Sequence, residues 1–445
     1  MKRAVLAVCA LTLAAAACAP GSSAPPATSA PAAQPSAAKT DPSKLGDVTL
    51  TVWDQEVRGG QNAQMTTLNT AFQAKYPNIK IKRVSRSFDD LNTTLRLALS
   101  GNEPPDVVQA NNGRPQMGAF VKAGQLRPLD AYADAYGWKK RFSPSVLQYV
   151  SYSTDGKIFG EGSLYGMPQV GEVVGILYNK AKLTKLGLQP PKTWPEFEDA
   201  LAKAKAAGET PMQLGNLDKW PAIHVFGTVQ GQHVPKDQIA TLGFGRKGAS
   251  WTTPENTKAA QNLVDWVTKG YFSKGFNGQG YDPAWQAFGK GEGVFLIGGS
   301  WLIADLEKSM NQDLGFLLPP GGVATGGTGL PFSITAKSPH PDAAAAYLDF
   351  ITNADAMKTL TANGLLPIAD TDQQTVKPGP QQDMFTAFGT AAKNDGLVPY
   401  LDYATPTFAD TLGAALQDLL AQKATPQEFL ATLEKDYKTF ADKNG

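Results

Sequence analysis

The chain of 445 residues sets 41 Lys and Arg against 40 Asp and Glu, a formal charge of +1 with no basic stripe, which excludes nucleic acid as its main partner. With 42% apolar and 18% charged residues it can bury large cores, and its length predicts two or three domains. Both cysteines lie in the first 18 residues, so the remainder has no disulfide framework, cysteine nucleophile or thiolate metal site.

Lys2 and Arg3 precede the uncharged run Ala4 to Ala17, which reads as a cleaved export signal over residues 1–17, too short to stay in a bilayer as a spanning helix. Ala15-Ala16-Ala17-Cys18 is similar to a bacterial lipobox, so Cys18 is expected to carry the lipid. Leu13 stands two residues further from the cysteine than a lipobox leucine, and cleavage after an A-x-A site is the alternative. From Ala19 to Lys44, 22 of 26 residues are Ala, Pro, Ser, Thr or Gly, so residues 18–44 read as a lipidated cysteine on a disordered tether. The folded part is expected from Leu45.

Val48 to Trp53 is a β-branched run, Met65 to Tyr76 has helical apolar spacing, and Ile79 to Val84 alternates as a strand. Phe88 to Ser100 reads as a helix, and Pro105 to Val108 as a strand. This alternation predicts a parallel sheet with ligand groups at the carboxyl ends of its strands. Trp53, Asp54, Gln55 and Glu56 follow the first strand, and Gln109, Asn111, Asn112 and Arg114 the third. Without a G-x-G-x-x-G fingerprint, these polar and aromatic groups suggest a polar organic ligand rather than a dinucleotide. Ile176 to Tyr178 opens a second series. Thr193 to Glu196 is a capping box for a helix to about Ala207, and Thr252 to Glu255 repeats it before a helix to Lys269. Trp194 and Trp266 have core spacing, whereas nothing in the sequence decides Trp138 and Trp251.

Five segments together resemble the extracellular solute-binding proteins of ABC importers, in the carbohydrate-binding branch called family 1 that includes maltose-binding protein. They are Phe72-Gln-Ala-Lys-Tyr-Pro-Asn-Ile, Gly101-Asn-Glu-Pro-Pro-Asp-Val-Val, Leu164-Tyr-Gly-Met-Pro168, Leu177-Tyr-Asn-Lys180 and, most specifically, the run from Phe288 to Gly299-Ser300-Trp301. The last departs from the family pattern at Glu292-Gly293. The resemblance covers about residues 48–440 and implies an α/β, two-lobe periplasmic-binding-protein-like fold of type II: two discontinuous lobes, a hinge, and ligand in the interlobe cleft. Segment order implies crossings near Glu172 to Gly175, Thr328 to Phe332 and Gly364 to Ile368. Lobe 1 is then 45–172 with 329–365, and lobe 2 is 173–328 with 366–445.

A sugar presents an apolar C–H face and a rim of hydroxyls, so its site needs aromatic platforms and planar polar groups. Trp301 is the leading platform, since the resemblance places a stacking aromatic there. Trp53 and Trp220 follow strand-like segments, while Trp285 and Tyr281 are weaker because Trp285 and Phe288 at i and i+3 can simply pack a helix. Asp54, Gln55, Glu56, Asn111, Asn112, Arg114 and Glu172 are the polar candidates, with solvation on loops as the alternative. Arg114 could equally pair with a carboxylate of its own lobe. Gly327, within Gly326-Gly-Thr-Gly329, lets backbone approach ligand or bend the crossing, and Tyr403, in Tyr400-Leu-Asp-Tyr403, lines the cleft edge.

The implied function is capture of a carbohydrate, a di- or trisaccharide, at the outer face of the cell membrane and delivery to ABC permease subunits with a separate ATPase. No cofactor or metal is expected, and the chain is expected to be a monomer and no enzyme. His224, His233 and His340 lack metal-ligand spacing, and no H-E-x-x-H, G-x-S-x-G or phosphate-loop motif occurs. The alternatives are a binder of a non-sugar solute and a secreted glycoside hydrolase, which needs two carboxylates at a set separation.

Overall fold

The computed structural model describes residues 38–444, so the export signal and Cys18 lie outside the described residues. The chain is ordered before Leu45: Pro42–Lys44 forms a 3-10 turn, Pro42 is buried, and its carbonyl accepts from Asn78 Nδ2 at 3.0 Å. This turn sits inside the segment read from composition as tether, because a long-range hydrogen bond and a buried proline outweigh local composition.

The strands that frame the site are β1 (Val48–Asp54), β2 (Ile79–Ser85), β3 (Val107–Gln109), β4 (Gly171–Asn179), β5 (Met212–Gln213), β6 (Phe295–Gly299), β7 (Leu314–Leu317), β8 (Ala324–Thr328), β9 (Phe332–Ile334) and β10 (Leu397–Val398). One sheet has the order β9-β3-β1-β2. In it β1 runs parallel to β2, Val48 opposite Ile79, and to β3, Val52 opposite Val107. The antiparallel edge strand β9, with Phe332 opposite Gln109, returns from far along the chain. The other sheet has the order β10-β8-β4-β6-β5, with β7 also paired to β4.

Each sheet anchors an α/β lobe. In β1, Val48, Leu50 and Val52 point into the core that receives Met65, Leu68 and Phe72. The chain passes between the sheets around Met167, which bridges Phe332; between β8 and β9; and around Pro367, which bridges Val170.

Four helices carry cleft residues: α1 (Gly59–Lys75), α2 (Phe88–Ser100), α3 (Trp220–Gln230) and α4 (Tyr281–Gly289). The first helix starts at Gly59, six residues before the apolar periodicity begins. A Cβ at Gly60 would lie 2.7 Å from the Ala304 Cβ, so the glycine lets this turn pack closely on the helix Ile303–Met310. Thr193 and Glu196 form the expected capping box, whereas the helix Pro254–Thr268 is capped by Thr253 bonded to the Asn256 N–H, one residue later than the Thr252 pattern suggested. Trp138, Trp251 and Trp266 are all buried, and Trp194 packs 5.7 Å from Trp266, ring centre to ring centre.

Candidate functional site

The ends of β1, β3 and β4 converge between the lobes on a cavity whose empty space, open mouth included, is about 650 Å³. From one lobe come Gln55, Arg58 and Gln61 after β1, Phe88 at the start of α2, and Asn111 after β3. Trp220, Ile223 and His224 of α3, Trp301 after β6, and Tyr400, Asp402 and Tyr403 complete the opposite wall. Glu172 comes from the start of β4, and Leu330 from the crossing between β8 and β9.

Local chemistry explains how these groups are presented. Pro221 pre-sets the first turn of α3, and Asn216 Oδ1 accepts from the Ala222 N–H at 3.1 Å. Trp220 and His224 then share a helix face at i and i+4, their rings 5.5 Å apart. Ser300 Oγ accepts from the Val173 N–H at 3.2 Å, which ties the turn after β6 to β4 beside Glu172. Trp301 folds back over Gly299, where a Cβ would lie 1.9 Å from the indole ring. Its Nε1 donates to Tyr281 Oη at 2.7 Å, and its ring stands 5.5 Å from that of His224. At the mouth Phe88 and Trp220 meet edge to face across the cleft at 5.8 Å, and Arg58 Nη2 reaches Asp282 Oδ1 of α4 at 3.0 Å.

The carboxyl groups are electrostatically unusual. Burial, opposed by the Gln109 and Gln55 amides and reinforced by the Asp54 charge, pushes Glu56 up to about 7. Burial pushes Glu172 up to about 7 as well, against the hydrogen bond from Tyr400 Oη at 3.1 Å. Asp402 rises to about 6 through burial, and Asp89, at the mouth, to about 6 through burial and then Asp218. Burial depresses His224 to about 3, so its imidazole is neutral at neutral pH. Several buried polar atoms around the cavity have no partner among the described residues: Glu56 Oε2, Arg58 Nε, Gln61 Oε1, Trp220 Nε1 and His224 Nδ1. Buried polar groups are ordinarily satisfied, so this concentration of open donors and acceptors marks a surface built for a polar ligand.

Of the sequence-predicted residues, the cavity wall includes Gln55, Asn111, Glu172, Trp220, Trp301 and Tyr403. The others lie elsewhere, for identifiable reasons. Trp53 stacks under the Arg86 guanidinium at 4.6 Å. Asp54 is fully buried, receives a two-pronged bond from Arg83 at 2.6 and 2.8 Å, and caps the Glu56 N–H at 3.0 Å. Glu56 stands behind Gln55, its Oε1 taken by Gln109 Nε2 at 2.8 Å. Asn112 Nδ2 donates to the Tyr149 carbonyl at 2.8 Å. Arg114 pairs with no carboxylate of its own lobe: Nη1 donates to the carbonyls of Phe244 and Ala404 at 2.6 and 2.9 Å, and Nε to that of Lys157 at 3.2 Å. Trp285 Nε1 donates to Asp282 Oδ1 at 2.8 Å on its own helix. Gly327, at φ 131°, clears space for the Tyr149 ring, and a Cβ there would lie 2.9 Å from it.

Sequence reasoning missed Arg58, Gln61, Phe88, Ile223, His224 and Leu330. The Trp220–His224 spacing was an available signal; Arg58 and Gln61 gave none, because the helix start that presents them is set by packing. Among the described residues no group of three or more His, Cys, Asp or Glu could hold a metal ion, and no helix is long and apolar enough to cross a membrane.

Comparison with known proteins adds four findings. Residues 59–358, two thirds of the chain, match the family model described as bacterial extracellular solute-binding protein. The multiple sugar-binding protein of Streptococcus mutans is 25% identical over 337 residues, 72% of this chain and 74% of that protein. An uncharacterized ABC transporter extracellular-binding protein of Pyrococcus horikoshii is 27% identical over 332 residues, 72% of this chain and 71% of its own. Among solved structures, a chitin oligosaccharide binding protein superposes with a TM-score of 0.77 at 21% identity, covering 89% of this chain and 99% of that one, a likeness of fold.

Proposed function

The chain belongs to the bacterial extracellular solute-binding proteins, and on that premise we propose that it captures a carbohydrate of di- or trisaccharide size by lobe closure and delivers it, chemically unchanged, to the permease subunits of an ABC importer. The observation that carries this reading is the cavity wall, where the rings of Trp220, Trp301, Tyr400, Tyr403 and Phe88 alternate with amides, carboxylates and unpartnered polar atoms. Flat faces suit the C–H side of a pyranose, and the open donors and acceptors suit its hydroxyl rim.

In this reading Trp301 and Trp220 are the platforms, while Gln55, Gln61, Asn111, Glu172, Arg58 and His224 address the rim. Lobe 1 is residues 45–172 with 329–365 and lobe 2 is 173–328 with 366–445, Glu172 lying just after the crossing around Met167. Cys18 carries a lipid that holds a monomeric receptor at the outer face of the membrane. The 25% identity to a multiple sugar-binding protein over most of both chains supports the choice of ligand.

A thermal-shift screen of the full chain against mono- and oligosaccharides, amino acids and metal ions tests the reading. A ligand selective for the folded state stabilises it by about 2.7 kcal/mol at a hundred times its Kd. A selective shift with a short sugar recovered intact is the expected result. A shift only with amino acids or metals overturns the choice of ligand, and a sugar returned cleaved makes the protein a hydrolase.

A further inference from the structure

We propose that the captured sugar carries a free, protonated amine, held by the carboxylate of Glu172 among the aromatic rings of the cleft, with the charge of Glu56 behind Gln55 reinforcing it. This rests on the carbohydrate reading and narrows its ligand class.

The distribution of charge is the first support. Glu172 and Asp402 stand on the cavity wall, with Glu56 directly behind Gln55. Asp89, Asp218 and Asp282 surround the mouth, where the charges of Asp218 and Asp282 bear on Asp89. The cation on the wall is Arg58, and its Nη2 is already bonded to Asp282 at 3.0 Å. Arg83, the other cation near Glu56, is committed to Asp54 at 2.6 Å. His224 is neutral. An anionic solute therefore meets net repulsion, while a cation meets carboxylates whose nearest cations, Arg58 and Arg83, are ion-paired to other groups.

The hydrogen-bond inventory is the second support. Glu56 Oε1 accepts from the neutral amides of Gln109 and Gln55 at 2.8 and 3.2 Å, and Oε2 is buried without a donor. Glu172 Oε2 accepts from the neutral phenol of Tyr400. Gln61, 4% exposed and on the wall, leaves Oε1 unmatched. Glu56 Oε2 and Gln61 Oε1 thus lack donors and Glu172 has one, while Arg58 Nε and Trp220 Nε1, the unmatched donors of the same cavity, are left for the sugar's oxygens. An ammonium offers three N–H donors together with a charge, whereas a hydroxyl offers one donor and none.

The rings of Trp220, Trp301, Tyr400, Tyr403 and Phe88 supply negative π faces, which favour a cation in a site shielded from water. A neutral sugar leaves two buried carboxylates to repel one another, or obliges one of them to take up a proton when the lobes close. An ammonium lets both stay ionised.

Isothermal titration of the full chain with matched sugars tests this: glucosamine against glucose, galactosamine against galactose, and the β-1,4 glucosamine dimer against cellobiose, with glucuronic acid and the non-sugar diamine putrescine alongside. The expected result is that in at least one pair the amine binds about ten-fold or more tightly than its hydroxyl counterpart, equivalent to about 1.4 kcal/mol. Glucuronic acid should be weakest, and Glu172→Gln and Glu56→Gln should each lower the ratio of amine to hydroxyl affinity. Equal or tighter binding of the hydroxyl members overturns the charge inference and leaves the carbohydrate reading standing. Binding of putrescine alone upholds the charge inference and overturns the carbohydrate reading. No binding by any of these ligands overturns both.

Discussion

Glu56→Gln isolates the cost of a buried carboxylate. Glu56 is 2% exposed, and burial followed by the Asp54 charge raises its carboxyl from 4.5 to about 7. Between those values the native state holds a proton that the unfolded chain has released, so stability falls as pH rises from about 4.5 to about 7 and is level above that. At about 1.36 kcal/mol per pH unit, a window some two and a half units wide corresponds to about 3 kcal/mol, an upper figure because relaxation and water penetration soften the burial term. Glutamine preserves the shape and the acceptor that Gln109 and Gln55 use, and never ionises. Urea unfolding followed by tryptophan emission is therefore expected to show the variant equal to wild type near pH 4.5 and more stable by about 1–3 kcal/mol near pH 8. The variant should retain part of the decline over this range, because Glu172 and Asp402 are shifted in the same direction. Parallel pH profiles for variant and wild type, or a Gln variant less stable near pH 8, would refute the assignment of a buried, counterion-free carboxylate.

Trp301→Ala removes the leading platform and the donor to Tyr281 Oη. Binding of the sugar found in the screen should weaken by about 1–3 kcal/mol with the fold retained, and calorimetry showing unchanged affinity with a large fall in Tm would make Trp301 a packing residue. Arg114→Ala leaves the carbonyls of Phe244, Ala404 and Lys157 without their donor in a buried setting, so denaturation should show a loss of about 2–4 kcal/mol. Stability equal to wild type would mean that water replaces the guanidinium there.

Much of the framework was legible in the chain itself. Strand and helix alternate from Val48 to Gln109 as apolar spacing indicates, because side-chain periods of 2 and 3.6 are local properties. The run Gly299-Ser300-Trp301 follows β6, and glycine there is required by the ring that folds over it. Of the residues following the strand ends, Gln55 and Asn111 reach the cavity wall. What each polar side chain does was decided by tertiary structure. Asp54 and Glu56 look alike beside one strand end, yet Arg83, on the neighbouring strand, takes the first into an ion pair and leaves the second with amides alone. Arg114 meets its acceptors 130 and 290 residues away, and Trp285 turns to its own helix instead of the cleft. Periodicity is written in neighbours along the chain, whereas the partner of a buried charge or the exposure of a ring depends on which distant segments pack against it.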